Sequence, residues 1–339
     1  MSGHSHKTPY KNLSPEVILD AVESVGYRCD GRLLALNSFE NRVYQVGVEN
    51  GEALVVKFYR KGRWNQAAIL EEHHFTTQLA EMEIPVVAPL ANTAGRTLHP
   101  WQGFRFAIYP KCGGRAPDLE NFDHLERLGL ALGRIHAVGA TRPFQARPTL
   151  DVETFGVEPH RFLMESKFIP LELRAIYDSL TGELLALIRR CFEQAGQPKK
   201  IRLHGDCHSG NILWTDNGPL FVDFDDARMG PAIQDLWMCL SGEREEQGSQ
   251  FAALLKGYRK FHDFNPREIH LVEALRTLRM IHYSAWIARR WDDPAFPRAF
   301  PWFDAPRYWD NHILSLREQV LLMQAPPLEW NPYAFMDPY

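Results

Sequence analysis

Apolar residues recur along the chain with two different periods, and the change of period divides it. Near the start, Ser14-Pro15-Glu16 reads as a helix N-cap, a proline at the first helical position and an acid in the first turn. Val17, Ile18, Ala21, Val22 and Val25 then supply one apolar helical face, and Gly26 is a natural stop. Three β-like runs follow over 32–36, 42–48 and 53–59, the last after an Asn50-Gly51 hairpin signal. A helix is predicted over 65–82, with Ile69, Glu72, Phe75 and Leu79 near one stripe. Two further β-like runs, 86–90 and 104–109, complete a predicted five-stranded antiparallel sheet with an inserted helix.

After Pro110 the period lengthens. Lys111-Cys112-Gly113-Gly114-Arg115 reads as a hinge. Beyond it the pattern predicts helices around 125–135, 173–191, 233–240, 251–262 and 266–291. One β-like island, 201–222, interrupts them, and chemistry commonly sits on loops that join strands in this way. The expected architecture is α+β: residues 1–110 as a smaller sheet-bearing part, 111–115 as hinge, and 116–339 as a larger, mainly helical part.

Composition narrows the function classes. The chain has 339 residues, 45% of them hydrophobic and 24% charged, enough apolar content to collapse into a large core. A net charge of -4 argues against nucleic acid as a partner. No run of about 18 apolar residues is present, so no membrane span is expected. The first residues are polar and lack the apolar stretch of a signal peptide. The five cysteines, Cys29, Cys112, Cys191, Cys207 and Cys239, are scattered and odd in number. They suggest neither a disulfide framework nor a structural zinc site, and the expected compartment is the cytoplasm. The 9 Trp are notable because several crowd, with other aromatics, into the last fifty residues, where packing that closes the larger part is expected.

The island carries the candidate chemistry. It reads Leu203-His204-Gly205-Asp206-Cys207-His208-Ser209-Gly210-Asn211-Ile212-Leu213-Trp214, then Phe221-Val222-Asp223-Phe224-Asp225-Asp226. A hairpin built on these strands brings Asn211 and Asp223 together at its open end. An amide oxygen beside a carboxylate suits Mg²⁺ and is poor for zinc. Asp206 projects beside them as a base for a substrate hydroxyl. The joint D-x4-N-x11-D spacing is that of kinase-type phosphotransferases, in which the acid positions the hydroxyl and the other two hold Mg²⁺ on ATP. His204 is read as an anchor of this loop, and His73, His74 and His136 as ordinary helix residues. Asp235, in Gln234-Asp235-Leu236-Trp237, is read as a brace from the following helix, against the alternative of a plain surface acid.

The first part offers the remaining parts of an ATP site. Lys57, among the strand apolars Leu54-Val55-Val56-Lys57-Phe58, is expensive unless paired. Glu72 is its expected partner, in preference to Glu71, because Glu72 shares the apolar stripe. The turn Asn37-Ser38-Phe39-Glu40-Asn41-Arg42 lacks the glycines of a Gly-rich phosphate loop, yet Ser38 is assigned to phosphate contact. Whether Asn41 reaches a ligand or shapes the turn is open at this stage. The adenine is placed, by analogy of position, on the backbone near 108–111. Only six residues separate Asp223 from Gly230-Pro231, and none is Ser, Thr or Tyr, so no phosphorylated activation segment is expected.

The strings H-G-D-x-H-x-G-N-I-L-W, F-V-D-F-D-D-A and G-P-A-x-Q-D-L-W resemble the aminoglycoside phosphotransferase and choline kinase superfamily. More narrowly, N-S-F-E-N-R-V-Y-Q-V, V-V-K-F-Y-R and I-L-E-E-H resemble a bacterial stress-response protein-kinase branch of it, over nearly the whole chain from about Leu13. That resemblance implies a two-lobed kinase-like fold, ATP and Mg²⁺ as cofactors, and phosphorylation of protein Ser/Thr hydroxyls, including the chain's own. It carries the proton acceptor to Asp206, magnesium to Asn211 and Asp223, and the ATP-loop site to Ser38. A monomer acting on protein substrates is expected. The alternatives are a small-molecule kinase for an aminoglycoside, choline or homoserine, a nucleotide-binding pseudokinase, and a zinc-binding regulator built on Cys207 and His208.

Overall fold

Ser14 Oγ accepts the Val17 amide and opens helix α1 (Pro15–Glu23), whose Ile18, Ala21 and Val22 are buried. In this computed structural model, residues 9–331 are described, and the first eight residues of the polar N-terminal stretch lie outside them. Strands β1 (Cys29–Leu36), β2 (Arg42–Val48), β3 (Leu54–Phe58), β4 (His99–Trp101) and β5 (Phe104–Pro110) form one antiparallel sheet in the order β1-β2-β3-β5-β4. Alternation along β3 assigns its two faces. Val56 and Phe58 pack with Ile18, Ala21 and Val22 of α1, together with Phe104, Phe106 and Ile108. Lys57 and Tyr59 face the other way, with Ala107 and Tyr109, toward helix α2 (Gln66–Glu81), which Asn65 caps.

One predicted strand is replaced. The run 86–90 is not in this sheet, because Pro85 and Pro89 lack the amides a ladder needs. Instead Val87 donates to the Phe221 carbonyl at 2.9 Å, and Phe221 donates to that of Pro85 at 2.8 Å. This part of the run therefore straps the sheet to the larger lobe. The fifth strand is β4, with Pro100 on the sheet's outer edge and a turn at Gln102-Gly103 (φ 46 and 79°).

The larger lobe contains α3 (Phe122–Gly139), α4 (Glu158–Glu165) and α5 (Leu171–Gln194), and then the island. The island is two ribbons, β6 (Ile201–Leu203) with β9 (Arg228–Gly230) and β7 (Ile212–Thr215) with β8 (Gly218–Phe221). Helices α6 (Ile233–Trp237), α7 (Arg244–Tyr258), α8 (Val272–Ala288), α9 (Ala295–Ala299) and α10 (Pro306–Gln324) complete it. The main core joins Leu125, Leu128 and Leu132 of α3 to Phe251 and Leu254 of α7, and it also takes Phe75 and Leu79 from α2. Helix α2 thus packs into both lobes. A second core gathers Tyr177, Leu184, Phe296, Phe303 and Trp309, so the late aromatics do close the lobe. Within the aromatic-rich stretch the chain is helical from Pro306.

Helices α3 and α7 touch through their backbones. A Cβ on Gly129 would stand 1.8 Å from the Leu254 carbonyl oxygen, and one on Gly257 would stand 1.9 Å from that of Glu126. Helix propensity alone favours Ala over Gly by about 1 kcal/mol. Overpacking against rigid backbone has the opposite sign and costs about 1–3 kcal/mol. Gly129→Ala is therefore expected to destabilise the protein, read as a lower midpoint in thermal or urea denaturation.

Candidate active site

The loop that carries Asp206 is fixed from behind by one carboxylate. Asp235, fully buried on α6, accepts the His204 amide at Oδ2 and the Gly205 amide at Oδ1, both at 2.8 Å. His136 Nε2 donates to the same Oδ2 at 3.1 Å, while its Nδ1 meets the Tyr258 hydroxyl at 2.8 Å. Asp235 is thus the brace expected of it. His136 is not an ordinary helix residue but the second layer of that brace. His73, equally buried, joins the Tyr59 hydroxyl at 2.7 Å and the Thr97 hydroxyl at 2.8 Å.

Gly205 has φ +84°, and a Cβ there would stand 2.3 Å from the Asp226 carbonyl oxygen, so only glycine fits. His204 ties the loop to the next one. Its Nε2 donates to the Val222 carbonyl at 2.9 Å, and its Nδ1 accepts the Asp206 amide at 3.3 Å. The ring is therefore neutral with the proton on Nε2, which is the anchoring role predicted for it.

Asp206 and Asn211 come together across the loop. The Asn211 amide nitrogen donates to the Asp206 carbonyl at 2.9 Å and lies 3.4 Å from Asp206 Oδ2. That leaves the Asn211 amide oxygen free. Val222 donates to the Asn211 carbonyl at 3.0 Å, so the ribbon holds Asn211 beside the chain that leads to Asp223. Asp223 adopts the left-handed conformation (φ 59, ψ 65°), rare for a residue with a side chain. Its carboxylate is half-exposed toward the cleft. The free amide oxygen and the carboxylate are hard-oxygen donors that fit a Mg²⁺ ion.

Lys57 is the point where expectation and structure part. Its ammonium is buried and lies 2.6 Å from Asp223 Oδ1. Glu72 is buried nearby on α2, but it makes no ion pair with Lys57, and its closest cation is Arg147 at 3.8 Å. The predicted Lys57–Glu72 pair is therefore corrected to Lys57–Asp223. Asp223 meets the ammonium from the cleft side at hydrogen-bond distance, while burial pushes the Glu72 carboxyl up to about 7. Burial works against the charge on Lys57, but Asp223, with smaller contributions from Tyr109, Asp225 and Glu72, outweighs it and holds the ammonium well above its ordinary range. Desolvation likewise opposes ionisation of Asp223, and Lys57 reverses it, leaving a net downward displacement. Glu71 does separate work, accepting the amides of Gln145, Ala146 and Arg147 at 2.6 to 3.1 Å.

The turn at 37–42 is held by side chains rather than by glycines. Ser38 Oγ donates to the Asn41 carbonyl at 3.2 Å, and Asn41 Oδ1 accepts the Arg60 amide at 3.1 Å. Asn41 is buried and shapes the turn. Glu40 reaches across the cleft. Its Oε2 accepts from Trp286 Nε1 at 2.7 Å and pairs with Arg290 at 2.6 Å and Arg63 at 3.2 Å. Phe39 packs on Phe300, ring centroids 5.0 Å apart, so the aromatic segment borders the cleft as well as closing the core. The Ile108 carbonyl, placed in the expected adenine strip, is taken by the Leu90 amide at 2.7 Å.

Two contacts were beyond the sequence reading. Arg279 of α8 pairs with Asp206 Oδ1 at 2.5 Å. Burial pushes the Asp206 carboxyl up, but His208 and Arg279 together hold it below its usual range. Arg63 joins Glu40 to Asp225 and Asp226, at 2.9 and 2.8 Å from the latter two. The zinc alternative does not form: Cys207 is buried, and no group of three or more metal-binding side chains occurs among the described residues.

This arrangement agrees with what the chain matches. The model of the phosphotransferase enzyme family (APH) covers residues 32–275. The chain belongs to that family. It is 45% identical over 323 residues to stress response kinase A of Escherichia coli, covering 95% of this chain and 97% of the relative. It is 44% identical over 323 residues, with the same coverage, to a Salmonella typhimurium protein named serine/threonine protein kinase RdoA. Among solved structures, an amicoumacin kinase in complex with AMP-PNP, Ca²⁺ and Ami aligns with a TM-score of 0.70 at 18% identity, over 95% of this chain and 97% of that one. A microcompartment-associated aminopropanol kinase aligns at 0.69 and 18% identity, over 91% and 98%. The two-lobed, kinase-like α+β fold expected of the sequence is the observed one, and the protein is a kinase of this family.

The brace generates a test. Asp235→Asn replaces one acceptor oxygen with an NH₂ group facing a backbone amide, at a cost of about 1–3 kcal/mol for the buried mismatch. The midpoint of thermal unfolding should fall. Turnover should fall at least about tenfold, since a misplaced catalytic loop is costly, while nucleotide affinity measured by calorimetry changes little.

Proposed function

We propose that the protein is an ATP- and Mg²⁺-dependent serine/threonine protein kinase, able to phosphorylate itself, working in a bacterial stress response in the cytoplasm. The observation that carries the chemistry is the convergence of Asp206, Asn211 and the Lys57–Asp223 pair on adjoining loops of one cleft. What favours protein as acceptor is the 45% identity, over nearly the full length, to relatives named as stress-response and Ser/Thr kinases. Several structural neighbours are named as small-molecule kinases, but at 18% identity or less these likenesses bear on the fold alone. No helix among the described residues is long and apolar enough to cross a membrane.

The roles follow from position. Asp206 aligns the incoming Ser or Thr hydroxyl with the γ-phosphorus and receives its proton as the new O–P bond forms. The bond from the γ-phosphorus to the β–γ bridging oxygen breaks, and ADP leaves. Lys57 supplies positive charge for the phosphate oxygens. Asn211 and Asp223 are the residues that would hold Mg²⁺, which supplies neutralisation of the phosphate charge when bound. Ser38 and the amides of its turn would contact the phosphates, and Glu72 is a further carboxylate, after Asp223 and Asp225, within the electrostatic reach of Lys57. Protein substrates with Ser/Thr hydroxyls are the partners, and the enzyme acts as a monomer. The stretch between Asp223 and Gly230 closes at once into β9, so activity requires no phosphorylation there.

Labelled ATP with Mg²⁺, offered to the protein alone, to generic protein acceptors and to small alcohols, tests the assignment. Label on Ser or Thr hydroxyls is expected, and label confined to the alcohols would refute it. Asp206→Asn should keep ATP binding and lose turnover by about 10²–10⁴-fold. Asp223→Asn should instead weaken ATP binding in the presence of Mg²⁺ and abolish the difference that chelation makes, as read by calorimetry.

A further inference from the structure

One face of α8 runs the length of the cleft. Arg279, Tyr283 and Trp286 recur at helical spacing along it, and Arg290 follows just past its end. At one end Arg279 pairs with Asp206. At the other, Trp286 and Arg290 hold Glu40 of the phosphate turn. An acceptor hydroxyl that reaches Asp206 beneath that turn must therefore pass Arg279 and Tyr283.

Both side chains are open to an arriving group. Arg279 is 40% exposed. It has five N–H donors, and its one protein partner among the described residues is Asp206, reached through Nη1. Its position is thus set by Asp206, and its other donors have no protein partner among the described residues. Tyr283 is also 40% exposed, and its ring stacks on Trp286 with centroids 5.7 Å apart.

The acids around this wall are already engaged. Glu40 is held by Arg63 and Arg290, Asp225 and Asp226 by Arg63, and Asp293 by Arg60 at 2.9 Å. In the acidic stretch at 243–246, Glu243 and Glu246 form the capping box of α7, where the Glu246 carboxylate accepts the Glu243 amide at 2.8 Å. An ammonium group would meet the guanidinium of Arg279 beside acids that are already paired, whereas a carboxylate would find free donors on that guanidinium.

We propose that Arg279, with Tyr283 beside it, is an acceptor-specificity site that selects Ser or Thr hydroxyls flanked by acidic residues and rejects cationic amino alcohols. This rests on the protein-kinase reading above and adds to it the charge of the substrate. The role is one of substrate contact, and a role confined to holding Asp206 would affect every acceptor alike.

The test uses the full-length enzyme, labelled ATP with Mg²⁺, and three Ser peptides that differ only in acidic, neutral or basic flanks. Choline and 1-amino-2-propanol serve as cationic alcohols. The unmodified enzyme should prefer the acidic over the basic peptide by at least about tenfold in kcat/KM, the order of one oriented charge pair. Arg279→Gln should flatten that ratio and Arg279→Glu should invert it. Thermal unfolding of each variant shows that it is folded. A wild-type ratio near one, or variants that slow all three peptides equally with the ratio kept, would overturn the inference while leaving the protein-kinase reading intact. Label on the amino alcohols alone would overturn both.

Discussion

The guanidinium of Arg63 lies almost out of solvent where three carboxylates converge: Glu40 from the phosphate turn and Asp225 and Asp226 from the chain just after Asp223. A cation in such a place is tolerable only if its donors are matched, and it helps in turn to neutralise the three acids. The consequence is geometric. The turn at 37–42 and the loop that carries Asp223 therefore cannot move independently. Arg228 adds a second contact to Asp226 and Arg147 donates to the Asp225 and Ala227 carbonyls at 2.7 and 2.9 Å, so the metal loop is held from three sides.

This explains how the turn at 37–42 can hold its shape without glycine. A glycine-rich loop is pliable and lets backbone amides approach phosphates closely. Here Glu40 points backwards into the Arg63, Trp286 and Arg290 cluster, Asn41 is buried against the Arg60 amide, and Phe39 leans on Phe300. The turn is pre-shaped by the opposite lobe, so less ordering is left for ligand binding to impose. Asp223 shows the same strategy on the other wall. Its left-handed backbone costs of order 1 kcal/mol or more, and the Lys57 ion pair and the following helical turn hold it there.

Local patterns carried much of this. The caps at Ser14 and Asn65, the three strands from 29 to 58, and the D-x4-N-x11-D spacing are written in adjacent residues, where propensity and period act. The errors arose where partners are distant. The run 86–90 looks like a strand by side chain alone, but its prolines spoil the ladder, and β4 looks unlikely because it contains Pro100. Glu72 was chosen for Lys57 because it shares a helix stripe, a criterion that finds buried positions but not which carboxylate stays ionised. Arg279 and Trp286 gave no signal of function, since a helix periodicity does not say which loop a residue will meet. His136 was invisible for the same reason, with its partner Asp235 lying 99 positions away.

The late aromatics show why that distant information had to be structural. Phe296, Phe303 and Trp309 are fully buried against Tyr177 and Leu184 of α5, an ordinary core by composition. Yet that core stands directly behind α8, whose opposite end grips Glu40, and Phe300 at its margin contacts Phe39. Asp293, between α8 and α9, takes Arg60 from the smaller lobe. Packing in the last fifty residues therefore sets the height of α8, and α8 sets the distance between the phosphate turn and Asp206. A core substitution there, far from any ligand, acts on the reaction through that rigid wall, because close-packed interiors transmit displacement instead of absorbing it.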